Sequence, residues 1–383
     1  MRTLLLILLV GATLLTQATT EDKVEQVEVE EVVGTGGREE EGEVPVVMTS
    51  TGKTAGVRER STGGKVFFSY YSIPFAKPPT GALRFKDPEM IQGWGGVREG
   101  SSLPPKCPQV GIASLLTGKS GIAMEGDEDC LYLNIFTPKA VDEAPLLPVM
   151  VFLHGGGYVS GSTTEYPPHV ILNRDVVLVT VQYRLGVLGF MSTEDDVAPG
   201  NLGLKDQTLA LSWLQRNAPK FGGDPLRVTL FGESAGGASV HLQVLTPRSI
   251  GGPVQARHPA VRHALSPWAM GAKHAEVAEY IGNIFNCTAD EGSDTLVSCL
   301  QEVDALKLAA ASSVLHEWLL FPILLGPRVD GQYLPADIEF LMKEGRHKRV
   351  DLITGITKHD GAIFTTSKYS PRVSIHYEEA HQI

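Results

Sequence analysis

A serine flanked by glycines, Gly232-Glu233-Ser234-Ala235-Gly236-Gly237, follows the apolar run Arg227-Val228-Thr229-Leu230-Phe231. The run reads as a buried strand, and the residues after Ser234 as the first turn of a helix. A strand–turn–helix corner this tight demands glycine on either side, because a Cβ there collides with the neighbouring strand or helix. The corner lifts the Ser234 hydroxyl above the sheet edge, with the Ala235 N–H beside it at a helix N-terminus. Nucleophilic acyl transfer is the chemistry such a corner serves. A second set of glycines, Gly155-Gly156-Gly157, stands directly after the apolar run Leu147 to His154. Its backbone N–H groups can face a substrate oxygen with no side chain in the way. Each donor aimed at a tetrahedral oxyanion lowers the barrier by a few kcal/mol, so two or three change the rate by orders of magnitude.

These groups need a scaffold that brings both glycine segments to one edge. Four apolar runs, Leu147 to His154, Asp175 to Tyr183, Val228 to Phe231 and Val350 to Ile356, show no polar alternation. Strands of that kind are covered on both faces, as a parallel sheet in an α/β fold requires. Helical patterns lie between them. Leu202 to Leu214 carries Leu204, Leu211, Trp213 and Leu214 and is closed by Pro219 and Gly222-Gly223. Another starts at Ala235 and carries Val240, Leu242, Val244 and Leu245 before Pro247. Val46 to Gly56 and Lys65 to Tyr71 read as antiparallel strands of an opening meander, and the proline-rich stretch 73–81 as a loop. The expected architecture is a mostly parallel central sheet with helices on both faces and ligands above the strands' C-terminal ends.

The N-terminus has a different character. Met1-Arg2, an apolar run from Leu4 to Leu15 and the small-residue segment Thr16 to Thr20 describe a secretory signal peptide over residues 1–20. That run is too short to span a bilayer, and no later stretch approaches a spanning length. Residues 21–43 hold ten acidic side chains against Lys23 and Arg38, so most of the formal charge of −11 sits there. Such a segment cannot bury enough apolar surface to offset its ordering entropy, and it reads as a disordered acidic leader. No basic patch argues for nucleic acid. The remainder, 44–383, is long enough for one large domain or two, and at 43% hydrophobic residues overall the chain has material for a core.

Cys107, Cys130, Cys287 and Cys299 form an even set, which in a secreted chain suggests two disulfides. Three connectivities are open, and the local one, Cys107–Cys130 with Cys287–Cys299, is the most economical. None of the four has metal-ligand spacing, so neither a metal nor another cofactor is expected. Asn286-Cys287-Thr288 is a glycosylation sequon.

Several motifs taken together resemble the type-B carboxylesterases, the family of carboxylesterases and cholinesterases on the α/β-hydrolase fold. They are Glu128-Asp129-Cys130-Leu131-Tyr132-Leu133-Asn134-Ile135, His154-Gly155-Gly156-Gly157-Tyr158 and Tyr183-Arg184-Leu185-Gly186-Val187-Leu188-Gly189-Phe190. Asn201-Leu202-Gly203-Leu204-Lys205-Asp206-Gln207, Phe221-Gly222-Gly223-Asp224-Pro225 and the serine corner complete the set. The likeness is dense from about Val46 to Leu245 and thin to about Phe364. It implies Ser234 as nucleophile, oxyanion donors at Gly156, Gly157 and Ala235, and both local disulfides. It also implies a small-molecule ester as substrate. The family's acid follows a strand and precedes glycine, which points to Asp360 in Lys358-His359-Asp360-Gly361, where the family usually carries Glu.

The chain departs from the family in two places. After the acid the family supplies a distant histidine, yet Gly361–Ile383 offers only His376 and His381, outside the family's motif. His359 adjoins the acid and cannot easily turn back onto Ser234, while His154, His169 and His241 read as structural. No base is assigned, so the resemblance implies a fold incomplete at its C-terminal end and an esterase crippled by the lost histidine. The alternatives are a non-catalytic relative serving in adhesion or binding, and an inactive fragment. The second departure is Val254 to Ala264, where the family's Ser-Gln-Ser-Gly motif is replaced by Ala256-Arg257-His258-Pro259-Ala260-Val261-Arg262-His263. Oligomeric state is unreadable.

Overall fold

Three of the four apolar runs become the parallel centre of one sheet. The computed structural model describes residues 45–111, 123–139, 144–249, 264–315 and 322–360. Its strands are β1 (Val46–Met48), β2 (Lys53–Ala55), β3 (Val57–Arg60), β4 (Val66–Pro74), β5 (Val97–Glu99), β6 (Gln109–Val110), β7 (Met124–Glu125), β8 (Tyr132–Thr137), β9 (Leu147–Leu153), β10 (Val177–Val181) and β11 (Gly223–Gly232). The helices that matter below are α1 (Gly186–Phe190), α2 (Leu202–Asn217), α3 (Ala235–Leu245), α4 (His274–Ile284), α5 (Ser293–Gln301), α6 (Ala305–Ala311) and α7 (Ile338–Lys343).

The main sheet has the order β11-β9-β10-β8-β4-β3. β9 pairs parallel with β10 on one side and β11 on the other, while β8, β4 and β3 extend the sheet by antiparallel pairing. Every residue of β8 and β10 is buried, the apolar ones against both faces and Asn134 paired with Thr180 across the two strands. The sheet is therefore mixed, with its parallel portion confined to the strands that carry the glycine segments.

Register decides where those segments emerge. Leu153, the last residue of β9, pairs with Val181 at the end of β10 and with Gly232 at the end of β11. The chain leaves all three strands at one edge, so His154 to Gly157, Gln182 to Arg184 and the Ser234 corner share it. The helices arrive where the pattern puts them: α2 runs from Leu202 through Asn217, and Gly222 at φ 73° ends the following turn in the left-handed region. α3 begins at Ala235, is buried at every position and stops before Pro247. Arg184 joins two of the motifs: its Nε and Nη2 donate to Asp206 Oδ2 and Oδ1 at 2.8 and 2.6 Å, and its N–H to Oδ2 at 3.0 Å. Both side chains are almost fully buried, which ties the β10 exit to α2.

Two expectations change. The opening meander is split: β2 pairs with β1 on one side and β5 on the other in a small separate sheet, while Lys65 to Tyr71 contributes to β4 and pairs with β3 and β8. The Val350 to Ile356 run is no strand of the sheet. Leu352, Ile353 and Ile356 are 52%, 55% and 82% exposed, and among the described residues β11 has no strand on its outer side. An apolar run signals a tendency to be buried, but pairing needs a partner edge that sequence does not specify. Here Asp351, Thr354 and Gly355 also dilute the run.

Both disulfides are the local ones, Cys107–Cys130 and Cys287–Cys299. No helix among the described residues is long and apolar enough to cross a membrane.

Candidate active site

The corner at Ser234 follows from what its glycines touch. A Cβ on Gly232 would lie 2.7 Å from the Leu153 carbonyl oxygen and 2.5 Å from the Gly236 carbonyl carbon; one on Gly236 would lie 2.0 Å from the Leu153 oxygen. The start of α3 is thus pressed against the end of β9, closer than any side chain permits. Ser234 bridges strand and helix at φ 54° and ψ −123°, a conformation that a residue with a Cβ adopts only under constraint. The Gly236 N–H donates to Glu233 O at 2.9 Å and the Ala238 N–H to Ser234 O at 3.0 Å, which locks the turn.

The triple-glycine segment lies against this corner. A Cβ on Gly155 would fall 2.5 Å from Glu233 Oε2, 2.7 Å from Glu233 O and 3.0 Å from Ser234 Cβ. Gly156 at φ 105° and Gly157 at φ 63° carry the chain through a turn in which Gly156 O accepts the N–H groups of Val159 and Ser160 at 3.1 and 3.0 Å. Neither the Gly156 nor the Gly157 N–H donates to a backbone carbonyl among the described residues. Ala235 opens α3, and the N–H of a first helical residue has no partner within its helix. The three expected oxyanion donors therefore belong to two segments in van der Waals contact, one of them a helix N-terminus whose dipole favours negative charge.

The surroundings are held by groups that the motifs contain without advertising. The Tyr183 hydroxyl donates to His154 O at 2.7 Å, and its ring stacks on the His154 imidazole with centroids 4.3 Å apart. His154 Nδ1 donates to Gly155 O at 2.9 Å, which fixes the tautomer and leaves Nε2 as a buried acceptor with no partner. Burial pushes this imidazole down to about 4, so it stays neutral and structural. Burial, and then the charges of Glu233 and Glu165, push the Tyr166 hydroxyl up to about 12. Sequence reasoning gave no role to Tyr166, Tyr183 or Glu233, although Tyr183 opens one of the quoted motifs and Glu233 sits inside the serine corner.

Asp360 closes a local turn: its Oδ2 accepts the Thr357 N–H at 3.3 Å and its Oδ1 the Thr357 hydroxyl at 3.1 Å. The preceding residues Asp351 to His359 are all exposed. Other histidines serve elsewhere: His169 meets Glu59 at 2.9 Å and His241 accepts the Ala264 N–H at 3.1 Å. His376, His381 and the 256–263 stretch lie outside the described residues, as do the signal-peptide and acidic-leader segments. Asn286 is exposed at the end of α4.

Comparison with known proteins agrees with this geometry. The family model described as "Carboxylesterase family" matches residues 43–382, continuing past Phe364 where the individual motifs fade. Cocaine esterase of Oryctolagus cuniculus is 41% identical over 326 residues, covering 82% of this chain and 59% of its own length. Juvenile hormone esterase of Tribolium castaneum is 42% identical over 284 residues, covering 73% of this chain and 47% of its own. Neuroligin-2 of Mus musculus is 34% identical over 355 residues, covering 84% and 42%. The chain thus spans about half the length of the curated relatives it matches. A glycine-braced serine corner at the shared strand ends and a family match over nearly all of the chain point the same way: this protein belongs to the carboxylesterase family.

Proposed function

We propose that the protein to which this chain belongs acts as a serine ester hydrolase on small, uncharged carboxylic esters, this chain supplying the nucleophile and oxyanion donors but no assigned base. Ser234 Oγ attacks the ester carbonyl, the oxyanion is held by the N–H groups of Gly156, Gly157 and Ala235, and the alcohol leaves to give an acyl-enzyme that water hydrolyses. Asp360 is the proposed acid; its proposed task is to orient a base imidazole, and no histidine of the described residues is assigned as that base. The observation that carries the reading is the Ser234 corner, braced by glycines that pack where no Cβ fits and touching the triple-glycine turn. Fluorophosphonate labelling tests it. An adduct on the Ser234 peptide, lost in Ser234→Ala, is expected in a chain continued to the relatives' length; no adduct there removes the esterase reading. In the same chain Asp360→Ala should lower kcat by about 10⁴-fold, the size of loss found when a triad acid is replaced.

A binding protein on the same scaffold is the second reading. It is favoured by the similarity to Neuroligin-2, whose name is not that of an esterase, and by the local turn that engages the Asp360 carboxylate. Normal folding with no ester turnover, again at the relatives' length, would select it. Secretion through a cleaved signal at 1–20, with a solvated leader at 21–43, is part of the proposal. Two disulfides support passage through an oxidising compartment. An exposed Asn286 supports a glycan there.

A further inference from the structure

The sequon at Asn286 is also a structural joint. α4 ends in a Schellman motif: the Cys287 N–H donates to Gly282 O at 2.8 Å and the Asn286 N–H to Asn283 O at 3.3 Å. Asn286 is the left-handed residue of that motif, at φ 57°, a place usually given to glycine. Cys287, the middle residue of the sequon, is 1% exposed and bonded to Cys299 on α5. The joint is tight, since a Cβ on Gly282 would lie 2.4 Å from both Cys287 O and Leu296 Cδ1.

We infer that glycosylation of Asn286 and closure of the Cys287–Cys299 disulfide compete, the glycan being added only while Cys287 is still a thiol. The inference rests on the secretory part of the proposed function. In the closed joint the side chain of Asn286 is exposed, but the backbone on both sides of it is folded back and hydrogen-bonded. A transferase has to close around the Asn-X-Thr tripeptide, which the folded joint, with Cys287 buried and cross-linked, does not allow. Unfolding the joint to allow it breaks two backbone hydrogen bonds and pulls a buried cysteine into water against its cross-link.

The chemistry of each arm is complete. In transfer, Asn286 Nδ2 bonds to C1 of the sugar as the C1–O bond of a lipid-linked oligosaccharide diphosphate breaks; the amide loses a proton and lipid diphosphate leaves. In closure, two thiols give two protons and two electrons to a protein disulfide, which becomes a dithiol. Timing makes them rivals. The cysteines are separated by 12 residues, so Cys299 follows Cys287 by about 1–2 s at ordinary synthesis rates. Disulfide formation itself takes seconds or longer.

The test is translation of the full chain into microsomes, with lumenal entry read by protease protection and glycan occupancy by an endoglycosidase-sensitive mobility shift. Comparable rates give partial occupancy in the unaltered chain. Cys299→Ser, which leaves the sequon intact, should raise occupancy about twofold, as should reductant during translation. Cys107→Ser should leave it unchanged, and Asn286→Gly should abolish the shift while preserving the left-handed cap. Equal occupancy in the unaltered and Cys299→Ser chains, a rise of the same size in Cys107→Ser, or no glycan in a protected chain overturns the inference alone. A chain that is never protected overturns the secretory reading and the inference with it.

Discussion

Ser234 holds a backbone conformation that only glycine adopts freely, at φ 54° and ψ −123°. Strain of this kind amounts to about 1–3 kcal/mol for a residue with a Cβ. Ser234→Gly should therefore be more stable than Ser234→Ala by about 1 kcal/mol, after allowing for the greater freedom of glycine in the unfolded chain. Both variants lose the hydroxyl, so denaturant midpoints isolate the backbone term; equal midpoints would mean the corner is unstrained. His154 supplies a pH test. Its folded value is about 4, against about 6.5 in an unfolded chain. Above pH 6.5 both states are neutral and its contribution is fully present. As pH falls from 6.5 towards 4 the unfolded chain takes a proton that the folded one refuses, and stability drops by up to about 1.4 kcal/mol per pH unit. Between pH 7.5 and 5 that is about 2 kcal/mol, which His154→Asn should remove from the pH dependence even though the variant is weaker at pH 7.5. His274, also buried and also lowered, contributes with the same sign and remains in the variant.

The Arg184–Asp206 pair binds the β10 exit to α2 with both side chains at or near zero exposure. Replacing one partner strands the other's charge, so Arg184→Met should cost about 3–5 kcal/mol. Adding Asp206→Leu should recover most of the loss, because an apolar pair of similar volume replaces the ion pair at little net cost. Urea unfolding of the single and double variants measures it; a double variant no better than the single would show that the geometry of the joint, and not the charge, sets the stability. The same elements show what the amino-acid pattern discloses. α2 and α3 were legible because helix period, proline and glycine stops act within a few residues. β9, β10 and β11 were legible because strands buried on both faces cannot conceal their apolar runs. The sequence did not disclose that Lys65 to Tyr71 joins β3 and β8, or that Val350 to Ile356 stays outside the sheet, because pairing partners are chosen across the fold. At the site, Ser234 and the glycines could be read from their spacing, since tight turns leave few alternatives. Tyr166, Tyr183 and Glu233 act through contacts made across the fold, which no spacing encodes.

The two disulfides link the molecule's architecture to the compartment in which it is made. Cys107–Cys130 closes a 23-residue separation between the β6 approach and the start of β8, and Cys287–Cys299 a 12-residue one between α4 and α5. By loop-closure entropy each stabilises the fold by about 3 kcal/mol, the longer loop slightly more. Cys107, Cys130 and Cys287 are essentially buried, so a mild reductant should open neither bond until the protein breathes. A chain made in a reducing cytosol should have an apparent Tm roughly 5–10 °C below that of the same chain made in an oxidising compartment. The gap should close when the cytosolic product is reoxidised. Separate Cys107→Ser and Cys299→Ser variants should divide it, with the larger share falling to Cys107→Ser. Identical melting of the oxidised and reduced proteins would mean that α4, α5 and the β6–β8 region are held by packing alone. The cross-links would then give no support to the secretory reading of the N-terminus.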